Sequence, residues 1–163
     1  MRRAIEDSRF PWESSPILKG DFPQMAPEDN VQWVHGLYLW RAGREYRSPY
    51  LPLIAPVLAR FEPFRLIKAK LNRTRGRDRH VEYGMHVDTR RPGAITAVFY
   101  LNDNDGYTIF EDGTRVPSLA NRLVIFDAHR QHTGASCTDA PDRLVLNINL
   151  LPADGVAREH YFR

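Results

Sequence analysis

Cysteine and long apolar runs are both scarce in this chain. Cys137 is the single cysteine among 163 residues, so no internal disulfide can form, which fits a reducing compartment. No segment approaches the roughly 18 apolar residues that a membrane span requires, and residues 1–10 lack the apolar stretch of a signal peptide. We therefore expect a cytoplasmic protein with no membrane partner, folded as one domain over 1–163.

Lysine is also rare, although the chain is basic. Only three of the 23 basic residues are lysines, and the net charge is +3. Residues 65–91 carry nine basic side chains against three acidic ones. Such a stretch can bind phosphates or an acidic polymer, but a solvated, arginine-rich loop is the simpler interpretation.

The first part of the chain is rich in proline and poor in regular patterns. Four prolines over 8–29 predict an irregular arm, and the β-branched and aromatic residues of 31–40 predict a strand. Apolar residues at helical spacing then predict one short helix over 49–61.

The rest of the chain reads as short strands separated by turns rich in Gly, Asn and Asp. The predicted strands are 65–71, 81–87, 94–101, 107–110, 123–126, 131–136 and 143–151. This pattern indicates a mainly β protein, a double-stranded β-helix (jelly roll) with one or two flanking helices. Residues 1–60 would form the arm, first strand and helix, and 65–151 the jelly-roll core.

Three residues from two predicted strands have the side chains of a metal site. His86 and Asp88 are two positions apart, so on a strand both project from the same face and can bind one ion. His132 lies on a later strand that a jelly roll can place opposite the first. Two histidines and one carboxylate form the facial set of non-haem Fe(II) oxygenases, which leaves three coordination positions open.

Other histidines compete for the place of the third ligand: His35, His80, His129 and His160. His129 is the strongest alternative. It lies three residues before His132, so on an extended strand the two side chains face opposite ways. The residue pattern alone leaves open which of the two faces inward.

Arg143 begins the apolar segment 143–151, eleven residues after His132. A buried arginine there would need an anionic partner, because an unpaired buried charge is costly. A dicarboxylate cosubstrate would supply one, and the guanidinium can bind a carboxylate through two parallel hydrogen bonds.

These residues stand in a recognisable order of motifs. The motif segments are His86-Val87-Asp88-Thr89, Ala97-Val98-Phe99-Tyr100-Leu101-Asn102, Asp105-Gly106-Tyr107-Thr108-Ile109-Phe110 and Asn121-Arg122-Leu123-Val124-Ile125-Phe126, followed by His132 and Arg143. Residues 83–151 thus resemble the core of the Fe(II)/2-oxoglutarate-dependent dioxygenases, in particular the compact prolyl 4-hydroxylase-like branch of small phage and bacterial enzymes. Asp105 departs from that pattern, because the family usually has glycine there.

The resemblance implies a ligand set. His86, Asp88 and His132 would bind Fe(II), and His132 is preferred to His129 because Thr-Gly follows it and Arg143 lies at the usual distance.

The resemblance also implies a cosubstrate site and a reductant. Arg143 would bind the distal carboxylate of 2-oxoglutarate, Tyr100 would add a hydroxyl to that carboxylate, and Thr96 would line the pocket. Ascorbate is a possible reductant in this family.

The implied activity is hydroxylation of a C–H bond on a peptidyl (prolyl-type) or amino-acid substrate, with release of succinate and CO2. The loop expected over 72–82, beside the metal, would set specificity. One alternative is a cupin-like metalloenzyme without cosubstrate, in which Arg143 and Tyr100 would have no function. A nucleic-acid-acting oxygenase is another, disfavoured because Asn149 stands where nucleic-acid demethylases of the superfamily have a second arginine.

Overall fold

The computed structural model describes residues 1–18 and 26–153, and antiparallel strands dominate this part of the chain. The helices are α1 (Arg2–Ile5) and α2 (Ala55–Leu58), the second flanked by 3₁₀ turns at Leu51–Ile54 and Ala59–Phe61. The strands are β1 (Glu13–Ser15), β2 (Gln32–Arg41), β3 (Arg44–Arg47), β4 (Phe64–Arg75), β5 (Ile95–Tyr100), β6 (Tyr107–Phe110), β7 (Arg115–Pro117), β8 (Leu123–Asp127), β9 (His132–Gly134) and β10 (Asp142–Pro152).

The strands form two sheets that face each other. The larger sheet has the order β1-β2-β4-β10-β5-β8, with β3 paired to β2, and the smaller has the order β7-β6-β9. Every pair is antiparallel. The predicted jelly roll with flanking helices is confirmed.

The two faces of the larger sheet differ in polarity. On β10, Leu144, Leu146 and Ile148 enter an apolar core that also contains Ile54 and Phe61 of the helical segment. The alternate positions 143, 145 and 147 line the space between the two sheets. The apolar face therefore holds the fold together, while the other face is available for polar side chains.

Two elements differ in length or type from the sequence expectation. The segment predicted as a helix over 49–61 is helical but mostly 3₁₀, because Pro52 and Pro56 remove backbone donors that an α-helix would need. Strand β4 continues to Arg75, since it pairs with β10 along its whole length. The loop predicted over 72–82 therefore begins only after Arg75.

The predicted strand 81–87 is wrong. Only two isolated bridges occur there, Glu82 with Ala135 and His86 with His132. Between them Gly84 has φ +90°, in the left-handed region that interrupts a regular ladder. The chain therefore reaches the metal-binding segment as an irregular loop held to β9 at two points.

Two parts of the sequence prediction lie outside the described residues: positions 19–25 of the predicted arm, and His160. Within 1–18 and 26–153, no helix is long and apolar enough to cross a membrane.

Candidate metal centre and adjoining cavity

The structure brings His86, Asp88 and His132 together. Their ligand atoms all lie within 4.8 Å of one another, and no other cluster of three such residues occurs in the described part of the chain. Two backbone hydrogen bonds, 3.0 and 3.1 Å long, join His86 to His132 and set the imidazoles side by side. Asp88 follows the last bridge by two residues.

Both imidazoles are oriented by backbone carbonyls. The Nδ1 atom of His86 lies 3.2 Å from the Gly84 carbonyl oxygen, and that of His132 lies 3.1 Å from the Arg130 carbonyl oxygen. Because a carbonyl can only accept, each Nδ1 carries the proton, and each Nε2 is left as a ligand atom. The Nε2 of His132 is 3.5 Å from Asp88 Oδ2.

The protonation states also suit a metal ion. Burial alone would raise the pKa of Asp88, but the nearby His132 imidazole, the charge of Lys68 and a hydrogen bond from Asn147 outweigh it and hold that pKa well below its ordinary value. Burial lowers the pKa of His86, which favours the neutral imidazole. An ionised carboxylate and neutral imidazoles are the forms that bind metals. Two imidazoles and one carboxylate are a donor set that fits Fe(II).

A cavity of about 110 Å³ extends from these ligands into the space between the sheets. His86, Asp88 and His132 border one end and Arg143 borders the same space, with Val98, Val145 and Asn147 on the wall of the larger sheet. An apolar cavity of about 150 Å³ can hold benzene, so this smaller, partly polar space is on the scale of a small organic molecule.

Arg143 is buried in this wall without a carboxylate. It is 5% exposed, and its guanidinium donates to Ser118 Oγ (2.9 Å) and Thr108 Oγ1 (3.2 Å). Among residues 1–18 and 26–153, no Asp or Glu oxygen lies within 4.0 Å of it. Burial lowers the pKa of Arg143. A buried cation with only neutral partners is complementary to an anionic ligand.

Two glycines make room for this side chain. A Cβ at Gly106 would lie 2.8 Å from Arg143 Cδ, and a Cβ at Gly134 would lie 3.1 Å from Arg143 Nη1. Both distances are shorter than ordinary van der Waals contacts, so larger residues would push the guanidinium aside.

Tyr100 and Thr96 are not brought to the cavity wall. The Tyr100 hydroxyl donates to Thr108 Oγ1 (2.8 Å), and its ring lies 5.5 Å from the Arg143 guanidinium. Tyr100 therefore lies behind Thr108, which does border the cavity. Thr96 accepts a hydrogen bond from Asn149 (2.9 Å), and both are buried away from the cavity.

The competing histidines have other partners. His129 lies outside the ligand cluster, is half exposed and bonds to Asp127 through Nδ1 (3.1 Å). His35 lies between Pro11 and Ser48, and His80 pairs with Asp105.

Three residues that border or support the site were not predicted from the sequence. Thr108 and Asn147 occupy cavity-facing positions on β6 and β10, and the two asparagines in the apolar run of β10 are a signal that could have pointed to Asn147. Ser118 comes from a loop, and no sequence pattern points to it.

An open groove borders the other side of the ligand cluster. It is lined by residues 85–90 together with His129 and Gln131. His86 and Asp88 border both spaces, so the ligand cluster adjoins the cavity as well as the groove.

Much of the basic stretch is engaged within the molecule. Arg65 and Arg91 both lie over the same aromatic side chain, with guanidinium carbons 4.5 and 4.1 Å from the centroid of Trp40. Arg73 pairs with Asp142 at 2.6 Å. These contacts give several of the arginines a structural role.

Solved structures of known proteins share this fold. A 2OG-Fe(II) oxygenase family oxidoreductase from Burkholderia pseudomallei is 17% identical, with a TM-score of 0.57, over 78% of this chain and 71% of that chain. The non-haem alpha-ketoglutarate-dependent epimerase SnoN from nogalamycin biosynthesis is 16% identical, with a TM-score of 0.56, over 89% of this chain and 70% of that chain. At such identities the likeness establishes the fold.

A prolyl-4-hydroxylase from Pseudomonas putida is 16% identical with a TM-score of 0.46, over 76% of this chain and 73% of that chain. This match is too low to bear on the prolyl-hydroxylase branch, which stays a prediction. Neither a protein-family model nor a curated protein sequence matches the chain.

Proposed function

We propose that this protein is an Fe(II)- and 2-oxoglutarate-dependent oxygenase. One observation carries the proposal: a buried arginine with no carboxylate partner among the described residues borders the same small cavity as a His-Asp-His cluster. A dicarboxylate could reach from Arg143 to a metal on the cluster. The fold shared with a 2OG-Fe(II) oxygenase family protein and with an alpha-ketoglutarate-dependent epimerase supports this proposal.

The residues of the cavity have separable tasks. His86, Asp88 and His132 would hold iron, which when bound supplies the activation of dioxygen and the oxidative decarboxylation of 2-oxoglutarate to succinate and CO2. Arg143 would orient the distal carboxylate through its paired donors, assisted by the hydroxyl of Thr108.

The substrate would approach from the open groove and undergo hydroxylation of a C–H bond. The groove is more open than the cavity and can accept an extended chain, which favours a peptidyl (prolyl-type) substrate or, second, a free amino acid. Met85, 42% exposed, and Val87 give the groove an apolar surface beside the ligands.

The test is succinate formation from 2-oxoglutarate by the purified protein with Fe(II), with proline-containing peptides and free amino acids offered as substrates. We expect turnover that requires both iron and 2-oxoglutarate and that is lost in His132→Ala, because one of three ligands is gone. The matched control is His129→Ala, which lies outside the cluster and should keep iron- and 2-oxoglutarate-dependent turnover, although the KM for the substrate can rise because His129 borders the groove.

Three outcomes would change the proposal. Loss of activity in His129→Ala but not in His132→Ala would show that His129, and not His132, is the third metal ligand. A metal-dependent activity that ignores 2-oxoglutarate would favour the cupin-like alternative. Stimulation by free amino acids alone would exclude a peptide substrate.

A further inference from the structure

Asn147 contacts the only carboxylate of the metal cluster. Its Nδ2 donates to Asp88 Oδ2 over 2.8 Å. Asn147 is 9% exposed, and the Asp88 side chain is 8% exposed. The hydrogen bond is therefore shielded from water and joins a neutral donor to an ionised acceptor, which makes it stronger than an ordinary one.

The orientation of the Asn147 amide follows from this contact. A carboxylate without a proton can only accept, so the NH2 group must face Asp88. The amide oxygen is then turned elsewhere, and in the described part of the chain it is buried without a hydrogen-bond partner. Leaving a buried acceptor unpaired is unfavourable, so the bond to Asp88 determines how this side chain is placed.

Asp88 needs such support because its own backbone gives little. The last backbone bridge to β9 joins His86 to His132, and Asp88 lies beyond it in an irregular segment. Asn147, in contrast, lies on β10 with neighbours on both sides, opposite Lys70 of β4 and Val98 of β5. A residue at the centre of the sheet thus fixes the carboxylate of a loop.

Lys68 is a further partner of this carboxylate, with Nζ 3.7 Å from Asp88 Oδ1. Its side chain is 29% exposed and flexible, and its positive charge opposes the binding of a metal cation nearby. Lys68 therefore holds the carboxylate but also repels the metal cation, whereas the neutral Asn147 holds it without repelling the metal.

We propose that Asn147 is a positioning residue of the metal centre, which holds the Asp88 carboxylate facing the two imidazoles. The inference rests on the proposed function only in requiring that a divalent metal bind His86, Asp88 and His132. It does not depend on 2-oxoglutarate or on the substrate.

Asn149 provides a matched control on the same strand and the same face. It is 1% exposed and donates over 2.9 Å to Thr96, outside the cavity. Asn149→Ala therefore removes a buried amide of the same kind without touching a metal ligand. Any general effect of losing an asparagine from β10 should appear in both variants.

The experiment is a Co(II) titration of the full chain, followed by visible absorption of the bound ion, with thermal unfolding of each variant recorded alongside. Asn147→Ala should raise the Co(II) dissociation constant about 10- to 100-fold, the range found when a residue that hydrogen-bonds to a metal ligand is removed. It should also alter the absorption spectrum of the bound ion. Asn149→Ala should leave the constant within about twofold. If Asn147→Ala does not fold, Asn147→Ser serves instead.

Lys68→Met separates geometry from charge, since it removes a cation and should leave Co(II) binding unchanged or tighter. Equal affinities for Asn147→Ala, Asn149→Ala and the wild type would overturn the inference. Weaker Co(II) binding in Lys68→Met alone would also overturn it, because Lys68 would then be the residue that positions Asp88. A wild-type protein that bound no Co(II) would instead contradict the metal centre and with it the proposed function.

Discussion

Two buried charged groups in this molecule are compensated in opposite ways. Asp29, 6% exposed, pairs with Arg77 at 3.5 Å and with Arg79 at 3.0 Å. Arg143, 5% exposed, has only hydroxyl partners among the described residues. Since burying a charge is costly unless it is paired, the chain supplies the partners of Asp29 itself and leaves the partner of Arg143 to a ligand.

The difference separates a structural cluster from a binding site. Asp29 lies just before β2, and its arginines follow β4, so the ion pairs join two connecting segments of the chain. Arg143 forms no ion pair within residues 1–18 and 26–153, yet two glycines and two hydroxyls are arranged around it. Stability should depend on the first group and ligand binding on the second.

Replacement of Arg143 by methionine should give the largest effect. Loss of the guanidinium removes a charge-assisted pair with the cosubstrate, so the affinity for 2-oxoglutarate should fall about 100-fold or more. Thermal stability should be unchanged or higher, because an unpaired buried cation is gone. Calorimetric titration of the Mn(II)-loaded protein and thermal unfolding measure the two quantities. Undiminished affinity for 2-oxoglutarate would show that Arg143 does not bind it.

Replacement of Asp29 by asparagine should show the reverse pattern. The variant loses both ion pairs, and because Arg79 is largely exposed, we expect the free energy of unfolding to fall by only about 1–3 kcal/mol. Urea denaturation measures this loss. Affinity for 2-oxoglutarate should match the wild type, and a parallel loss of affinity would mean that the two regions are coupled.

The sequence predicted much of the fold because apolar alternation and turn residues act locally. It failed at 81–87, where the alternating pattern was that of a strand but Gly84 takes a left-handed conformation that only the surroundings determine. The same local rule failed to extend β4 to Arg75, since that extension depends on pairing with the distant β10.

In the candidate site, too, the sequence indicates the chemistry of individual residues but not the contacts that depend on distant strands. His86, Asp88, His132 and Arg143 carry side chains whose chemistry is visible in the sequence, and the structure places them around one cavity. For Tyr100 only the motif implies a contact with the cosubstrate carboxylate. The direction of its hydroxyl depends on Thr108, which lies on the other sheet. Such contacts across sheets cannot be read from spacing along one strand.

Thr108 and Tyr100 offer the finest test of the ligand-binding side of the comparison. Thr108 accepts from Arg143 and borders the cavity, whereas Tyr100 lies outside the cavity lining and donates its hydroxyl hydrogen to Thr108. Thr108→Val should therefore weaken 2-oxoglutarate binding about tenfold, and Tyr100→Phe about twofold, since a neutral hydrogen bond contributes roughly 0.5–1.5 kcal/mol. Titration of the Mn(II)-loaded variants measures both effects. A larger effect for Tyr100→Phe would mean that the tyrosine hydroxyl turns to the cosubstrate when it binds, as the motif resemblance implies.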